Sequence, residues 1–123
     1  MTSTDGASPT VPLIAIRRSD VGRRTVLAVA GEVDMASTPD LGTAVDAAVE
    51  SGASDLWIDL SATTFIDSTC VHLLLETSRR ARGLQRRFVV VCPPGRVRRV
   101  FDIAGVAEAL PLYDDIGPAR DAG

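Results

Sequence analysis

The pattern of hydrophobic and polar positions along the chain changes between a strand-like and a helical period. Apolar runs of strand character lie at 11–16 and 25–30, and the charged stretch between them contains Asp20 and Gly22, which suit a turn. These segments predict a β-hairpin. Further strands are predicted at 55–60, 87–92 and 109–113.

Apolar residues at helical spacing occupy the segments between the later strands. Thr38 as a hydroxyl N-cap and Pro39 at the first helical position predict the beginning of the first helix, and Gly52 predicts its end. A second helix is predicted over 68–82, and a third, short helix ends at Gly105. The chain is therefore expected to contain three helices.

The predicted order of elements is β-β-α-β-α-β-α-β. Strands that alternate with helices predict an α/β fold, with a mixed sheet that has a parallel part and with helices packed on it. Functional loops of such sheets gather at the carboxyl ends of the strands. Three segments are expected there, namely 31–34, 67–70 and the neighbourhood of Cys92.

Length and composition indicate one small globular domain. The 123 residues are 46% hydrophobic and 24% charged, and the net charge of −3 argues against a general nucleic-acid binder. No apolar run approaches the roughly 20 residues that cross a membrane, and the polar N-terminus lacks the pattern of a signal peptide. We therefore expect a cytoplasmic protein, with a domain at 11–115 between tails at 1–10 and 116–123.

The sequence D-S-T-C at 67–70 has two interpretations. Asp67 or Ser68 as an N-cap of the second helix would explain the polar residues by folding alone. Alternatively, Ser68 is phosphorylated, which adds about two negative charges. A helix N-terminus tolerates such charges, whereas Asp67 and an acidic partner surface would oppose them.

The two cysteines match no zinc-binding spacing. Cys70 lies near the predicted helix N-terminus, where a thiolate is favoured. A phosphate-binding Cys-x5-Arg loop is excluded because Glu76 occupies the arginine position, and His72 points to a different side of the helix from Cys70. We expect free thiols in a reducing compartment, while a redox pair of Cys70 and Cys92 stays open.

Glu32 and Asp34 form a third candidate. Paired carboxylates can perform acid–base chemistry or bind a metal. No histidine, second acidic cluster or glycine-rich phosphate loop accompanies them. Turn chemistry and loop solubility are therefore the preferred interpretation, and no metal site is predicted.

Three further motifs occur together along the chain, namely G-E-V-D at 31–34, I-D-L-S-A-T-T-F-I-D-S-T at 58–69 and R-R-V-F-D-I-A-G-V at 98–106. Their order and spacing resemble those of the STAS-domain anti-sigma factor antagonists of bacteria. The resemblance covers about residues 11–115. It implies a STAS-like small α/β sandwich, in which Phe101 and Gly105 are structural.

The resemblance also implies a function. Members bind an anti-sigma factor of the serine-kinase type and so free a sigma factor for RNA polymerase. The kinase phosphorylates the serine after the motif aspartate, here Ser68 with Thr69 as the alternative, and a phosphatase resets the switch. ATP would be the cofactor of the kinase, so this chain is expected to need none and to be no enzyme.

The same resemblance implies a partner-binding surface around the second helix and the G-E-V-D loop. Its expected residues are Glu32, Asp34, Asp67, Ser68, Thr69, Cys70, Val71 and His72. The family commonly has Gly after the two hydroxyl residues, followed by Leu-Gly, where this chain has Cys-Val-His. An alternative is therefore a STAS binding module that is not phosphorylated and is redox-controlled through Cys70 and Cys92. An enzyme using Cys70 ranks last.

Overall fold

The computed structural model describes residues 14–115, which form a sheet covered by helices. The elements are β1 (Ile14–Val21), β2 (Arg24–Val33), α1 (Thr38–Glu50), β3 (Asp55–Ile66), α2 (Ser68–Gly83), β4 (Arg87–Val91), α3 (Arg96–Ala104) and β5 (Leu112–Tyr113). The predicted order of strands and helices is confirmed for this part of the chain. The two predicted tails and residues 11–13 of the predicted first strand lie outside the described residues.

The five strands lie side by side in the order of the sequence. β1 pairs antiparallel with β2, and the other three neighbouring pairs are parallel. The sheet is therefore mixed with a parallel part, as the alternation of strands and helices predicts. Parallel neighbours require a crossover, and each of the three helices supplies one.

β3 extends six residues beyond the predicted end at position 60. Its second half is rich in Ser and Thr, yet it continues the parallel ladder with β2 through pairs such as Gly31 with Thr63. Two register shifts in the pairing of β2 with β3 each place one extra residue in β3. The polar composition gave no sequence signal for this extension. Cross-strand pairing, rather than alternation of apolar residues, defines this part of the strand.

The start of α1 differs by one residue from the prediction. Ser37 rather than Thr38 is the N-cap, and its hydroxyl donates to the carbonyl oxygen of Glu32 at 2.7 Å instead of capping the helix. Thr38 is the first helical residue, which leaves its hydroxyl free to reach α2. Pro39 lies in the first turn, as predicted, and Gly105 ends α3 with a positive φ of 71°.

Strand residues alternate between two apolar clusters. The main core joins one face of the sheet to the helices through side chains such as Leu27, Ile58, Leu74 and Phe101, all fully buried. The structural role expected for Phe101 follows from this position. A second cluster on the opposite face contains Trp57, Val89 and Val91, with Val26 and Tyr113 packed against it.

The parallel strands β2 and β3 end at the same edge of the sheet. The backbone N–H of Asp67 donates to the carbonyl oxygen of Val33 at 3.2 Å, so the two strands remain joined to their last residues. α1 and α2 both begin just beyond this edge. Within residues 14–115, no helix is both long and apolar enough to cross a membrane.

Candidate functional site

Asp67 joins the two segments that meet at this edge of the sheet. As the N-cap of α2, it accepts hydrogen bonds through Oδ1 from the backbone N–H groups of Thr69, at 2.9 Å, and Cys70, at 3.4 Å. Its Oδ2 accepts from the N–H of Met35 at 3.0 Å. One carboxylate therefore caps α2 and also fixes the loop that follows β2.

The charged form of Asp67 is favoured by these bonds. The hydroxyl of Thr69 lowers the pKa of the carboxyl group most strongly. Partial burial opposes this effect, and the N–H groups of Thr69, Cys70 and Met35 lower the pKa further. Asp67 is thus a fixed negative charge next to the hydroxyl of Ser68.

The hydroxyl of Thr69 is held inside this network. Its Oγ1 donates to Oδ1 of Asp67 and lies 2.9 Å from Oγ1 of Thr38. Because Thr69 has one hydroxyl proton and gives it to Asp67, Thr38 must be the donor of the second bond. The chain Thr38–Thr69–Asp67 therefore links the first residue of α1 to the cap of α2.

The hydroxyl of Ser68, unlike that of Thr69, lies outside this hydrogen-bond network. It is exposed and is the first residue of α2. Its hydroxyl has no hydrogen-bond partner among residues 14–115, in contrast to the neighbouring Thr69. Of the two adjacent hydroxyls, only that of Ser68 is free to react without breaking an existing bond.

Asp34 shapes the turn between β2 and α1. Its Oδ1 accepts from the N–H groups of Ala36, at 3.0 Å, and Ser37, at 3.1 Å. The preferred interpretation of Asp34 as a turn residue is thus confirmed. Glu32 lies exposed at the end of β2. Within the described residues, no group of three or more His, Cys, Asp and Glu is placed to hold a metal ion.

Two residues expected on the partner-binding surface are buried instead. Cys70 is 0% and Val71 is 5% exposed, because both face the sheet from the first turns of α2. The expectation that their side chains contact a partner is therefore corrected: they hold α2 in place. His72 is exposed, and its Nε2 lies 3.4 Å from Oε2 of Glu76, one helical turn further on.

The environment of the cysteines disfavours thiolates. Burial raises the pKa of Cys70 to about 12, and the charge of Asp67 adds to this effect. Burial also raises the pKa of Cys92, to about 11. The expectation of a favoured thiolate at the helix N-terminus is therefore wrong for Cys70, since loss of hydration outweighs the helix dipole. Both thiols are free, and redox control stays a prediction.

Sequence reasoning missed two apolar side chains near Ser68. Met35 is 75% exposed, and its N–H binds Asp67. Phe65 is 44% exposed and lies three residues before Ser68, paired with Glu32 across the sheet. An apolar residue in a polar turn is the only sequence signal for Met35. Phe65 lies within the F-I-D-S-T motif, but its outward direction depends on the extended β3.

Comparison with known proteins defines the family. The model described as "Mlab, STAS domain" matches residues 16–113. The chain therefore belongs to the STAS domain family, and its relatives place it with the anti-sigma factor antagonists of that family. This result confirms both the resemblance inferred from the three motifs and the STAS-like α/β fold.

The relatives share most of their length with this chain. It is 28% identical to the anti-sigma-F factor antagonist RsfB of Mycobacterium tuberculosis over 106 residues. The aligned segment covers 86% of this chain and 86% of RsfB. A crystal structure of an anti-sigma factor antagonist from Mycobacterium paratuberculosis has 32% identity and a TM-score of 0.83, with 89% of this chain and 92% of that chain covered.

A more distant structural neighbour shows the same fold. The anti-sigma factor antagonist SpoIIAA in its unphosphorylated form has 23% identity and a TM-score of 0.73, over 87% of this chain and 92% of that chain. SpoIIAA of Bacillus is also known in a phosphorylated form, with a TM-score of 0.67 to this chain and 22% identity, over 88% and 97% of the two chains. None of these three relatives is named for an enzymatic activity.

Proposed function

We propose that this protein binds an anti-sigma factor of the serine-kinase type in the cytoplasm and so frees a sigma factor, and that phosphorylation of Ser68 ends the binding. One observation carries the proposal: Ser68 presents a free, exposed hydroxyl at the start of α2, while the hydroxyl of Thr69 is occupied by Asp67. The RsfB and M. paratuberculosis relatives, both named as anti-sigma factor antagonists, support the class of partner.

The position of Ser68 allows a phosphate without unfolding the helix. The N-terminus of an α-helix carries a partial positive charge, which tolerates an anion in the first turn. Asp67 already uses the N–H groups of Thr69 and Cys70, so a phosphate on Ser68 would remain largely in solvent. The modification is thus expected to leave the fold intact and to act on the surface.

The same phosphate would oppose a partner. An unphosphorylated surface offers two exposed apolar side chains, Met35 in the loop that is bonded to Asp67 and Phe65 three residues before Ser68. A phosphoserine would add about two negative charges beside Asp67, and a docked partner would have to remove their hydration. Binding is therefore expected to fall sharply on phosphorylation. The kinase would supply its own ATP, and a phosphatase would restore the binding form.

The direct test is phosphate transfer in vitro. The protein is incubated with ATP and each candidate anti-sigma kinase from the same organism, and the intact mass and the phosphopeptide are measured. We expect one phosphate on Ser68, no phosphate on the Ser68→Ala variant and normal phosphorylation of the Thr69→Ala variant. Transfer to Thr69, or equal transfer to the Ser68→Ala variant, would refute the assignment of Ser68.

A further inference from the structure

A surface cavity of about 370 Å³ lies at the end of the molecule opposite Ser68. Its lining includes Ser78 and Arg82 from α2, together with residues at the start of β4 and before β5. Ser78 follows Ser68 by ten residues, which places it roughly 15 Å along the helix. The cavity is therefore separate from the proposed phosphorylation site.

The floor of the cavity combines an apolar surface with one unused hydroxyl. Phe88 and Leu110 are buried there, and Ser78 is only 8% exposed. Thr77 donates its hydroxyl to the carbonyl oxygen of Leu73 at 2.8 Å, as is common within helices. The hydroxyl of Ser78 has no such bond to any residue in 14–115. The oxygen of Ser78 is not fully enclosed, so the hydroxyl opens into the cavity and can donate to an acceptor atom of a ligand.

The walls of the cavity carry two arginines and one acid. Arg86 donates through Nη1 to the carbonyl oxygen of Val49 at 2.8 Å, which fixes its guanidinium and leaves its other N–H groups available. Arg82 has no ion pair within the described part of the chain. Two guanidinium groups favour an oxyanion, whereas Glu108 on the rim opposes a second negative charge.

We propose that this cavity binds a small organic acid that has one carboxylate and an apolar group. The carboxylate accepts hydrogen bonds from Arg82, Arg86 and the hydroxyl of Ser78, and the apolar group lies on Phe88 and Leu110. The cavity volume falls within the range of small-molecule sites. This proposal is independent of phosphorylation at Ser68 and of partner binding there.

The test is a titration of the full chain followed by two-dimensional ¹H–¹⁵N NMR. The probe is 3-phenylpropanoate, and the controls are the neutral 3-phenylpropanol and inorganic phosphate. We expect saturating shifts at the amides of Ser78, Arg82 and Leu110 with the acid, and at least about fivefold weaker binding of both controls. No saturable shift up to about 10 mM acid, or equal binding of the alcohol or of phosphate, would overturn the proposal.

Two variants and a matched control locate the site. The Arg82→Gln variant should bind the acid about tenfold more weakly, and the Ser78→Ala variant about threefold more weakly. Arg79→Gln is the control, because Arg79 is an exposed arginine on the same helix that does not line the cavity. Unchanged affinity in the Arg82→Gln variant, or an equal loss in the control, would show that the acid binds elsewhere.

Discussion

Oγ1 of Thr69 lies 2.9 Å from Oγ1 of Thr38, a residue 31 positions earlier in the chain. This contact, with the bond from Thr69 to Asp67, distinguishes two neighbouring hydroxyls that look equivalent in the sequence. Thr69 is held by α1, whereas Ser68 is free. The proposed phosphorylation switch depends on this difference.

The N-cap role of Asp67 predicts a measurable loss of stability in the Asp67→Ala variant. Loss of the cap and of the bond to Met35 should reduce the free energy of unfolding by about 1–2 kcal/mol, as measured by urea denaturation. Asp46→Ala is the matched control, since within residues 14–115 the side chain of Asp46 forms just an exposed ion pair with Arg80. Equal small effects in both variants would contradict the role of Asp67.

The lowered pKa of Asp67 predicts a specific dependence on pH. Its folded pKa lies below the ordinary value of 3.8, so the ionised carboxylate stabilises the fold above that value and this contribution is lost as the pH falls further. The Asp67→Asn variant keeps a capping side chain but has no charge. We expect its stability deficit to be constant near neutral pH and to shrink below 3.8, as measured by urea denaturation across this range. A deficit that does not change with pH would contradict the charge effect.

Burial of the two cysteines predicts slow thiol chemistry. With pKa values of about 12 for Cys70 and about 11 for Cys92, the native protein should react with iodoacetamide at pH 8 at least about tenfold more slowly than the urea-unfolded protein. The rates are read by mass spectrometry of each cysteine peptide. Rapid native labelling of Cys70, or a disulfide after diamide treatment, would instead support redox control.

The exposed apolar side chains near Ser68 are expected to contribute to partner binding. Met35→Ala and Phe65→Ala should each weaken binding of the anti-sigma factor by about 1–2 kcal/mol in calorimetry, with little change in thermal stability. The control is Ile103→Ala, which removes a side chain about as exposed as Met35 near the far end of α3. A loss of affinity in the control as large as in both variants would argue against a docking surface at Ser68.

The arrangement of strands and helices could be predicted because local signals agree with the fold. Gly105 at the end of α3 and the uninterrupted apolar run of β4 are such signals. The second half of β3 could not be predicted in the same way. Its polar residues form a strand only because β2 lies beside them, and that pairing is a tertiary effect.

The sequence predicted where in the fold the candidate site lies, but not the burial and hydrogen bonds of its residues. Its location follows from the rule that parallel strands bring their carboxyl ends to one edge of the sheet. Burial of Cys70 and Val71 depends on which side of α2 faces the sheet. The resemblance assigned both residues to the partner-binding surface. The bond between Thr38 and Thr69 is set by the relative positions of two helices, which no local pattern contains.

The most direct test of the account is the affinity of one anti-sigma factor for two forms of this protein, unmodified and stoichiometrically phosphorylated on Ser68. Calorimetry would measure both, with Ser68→Ala as a control that cannot be modified. We expect stable binding of the unmodified protein and of Ser68→Ala, and at least about tenfold weaker binding of the phosphorylated form. Equal affinity of the two forms, with the phosphate shown to be on Ser68, would contradict the proposed switch.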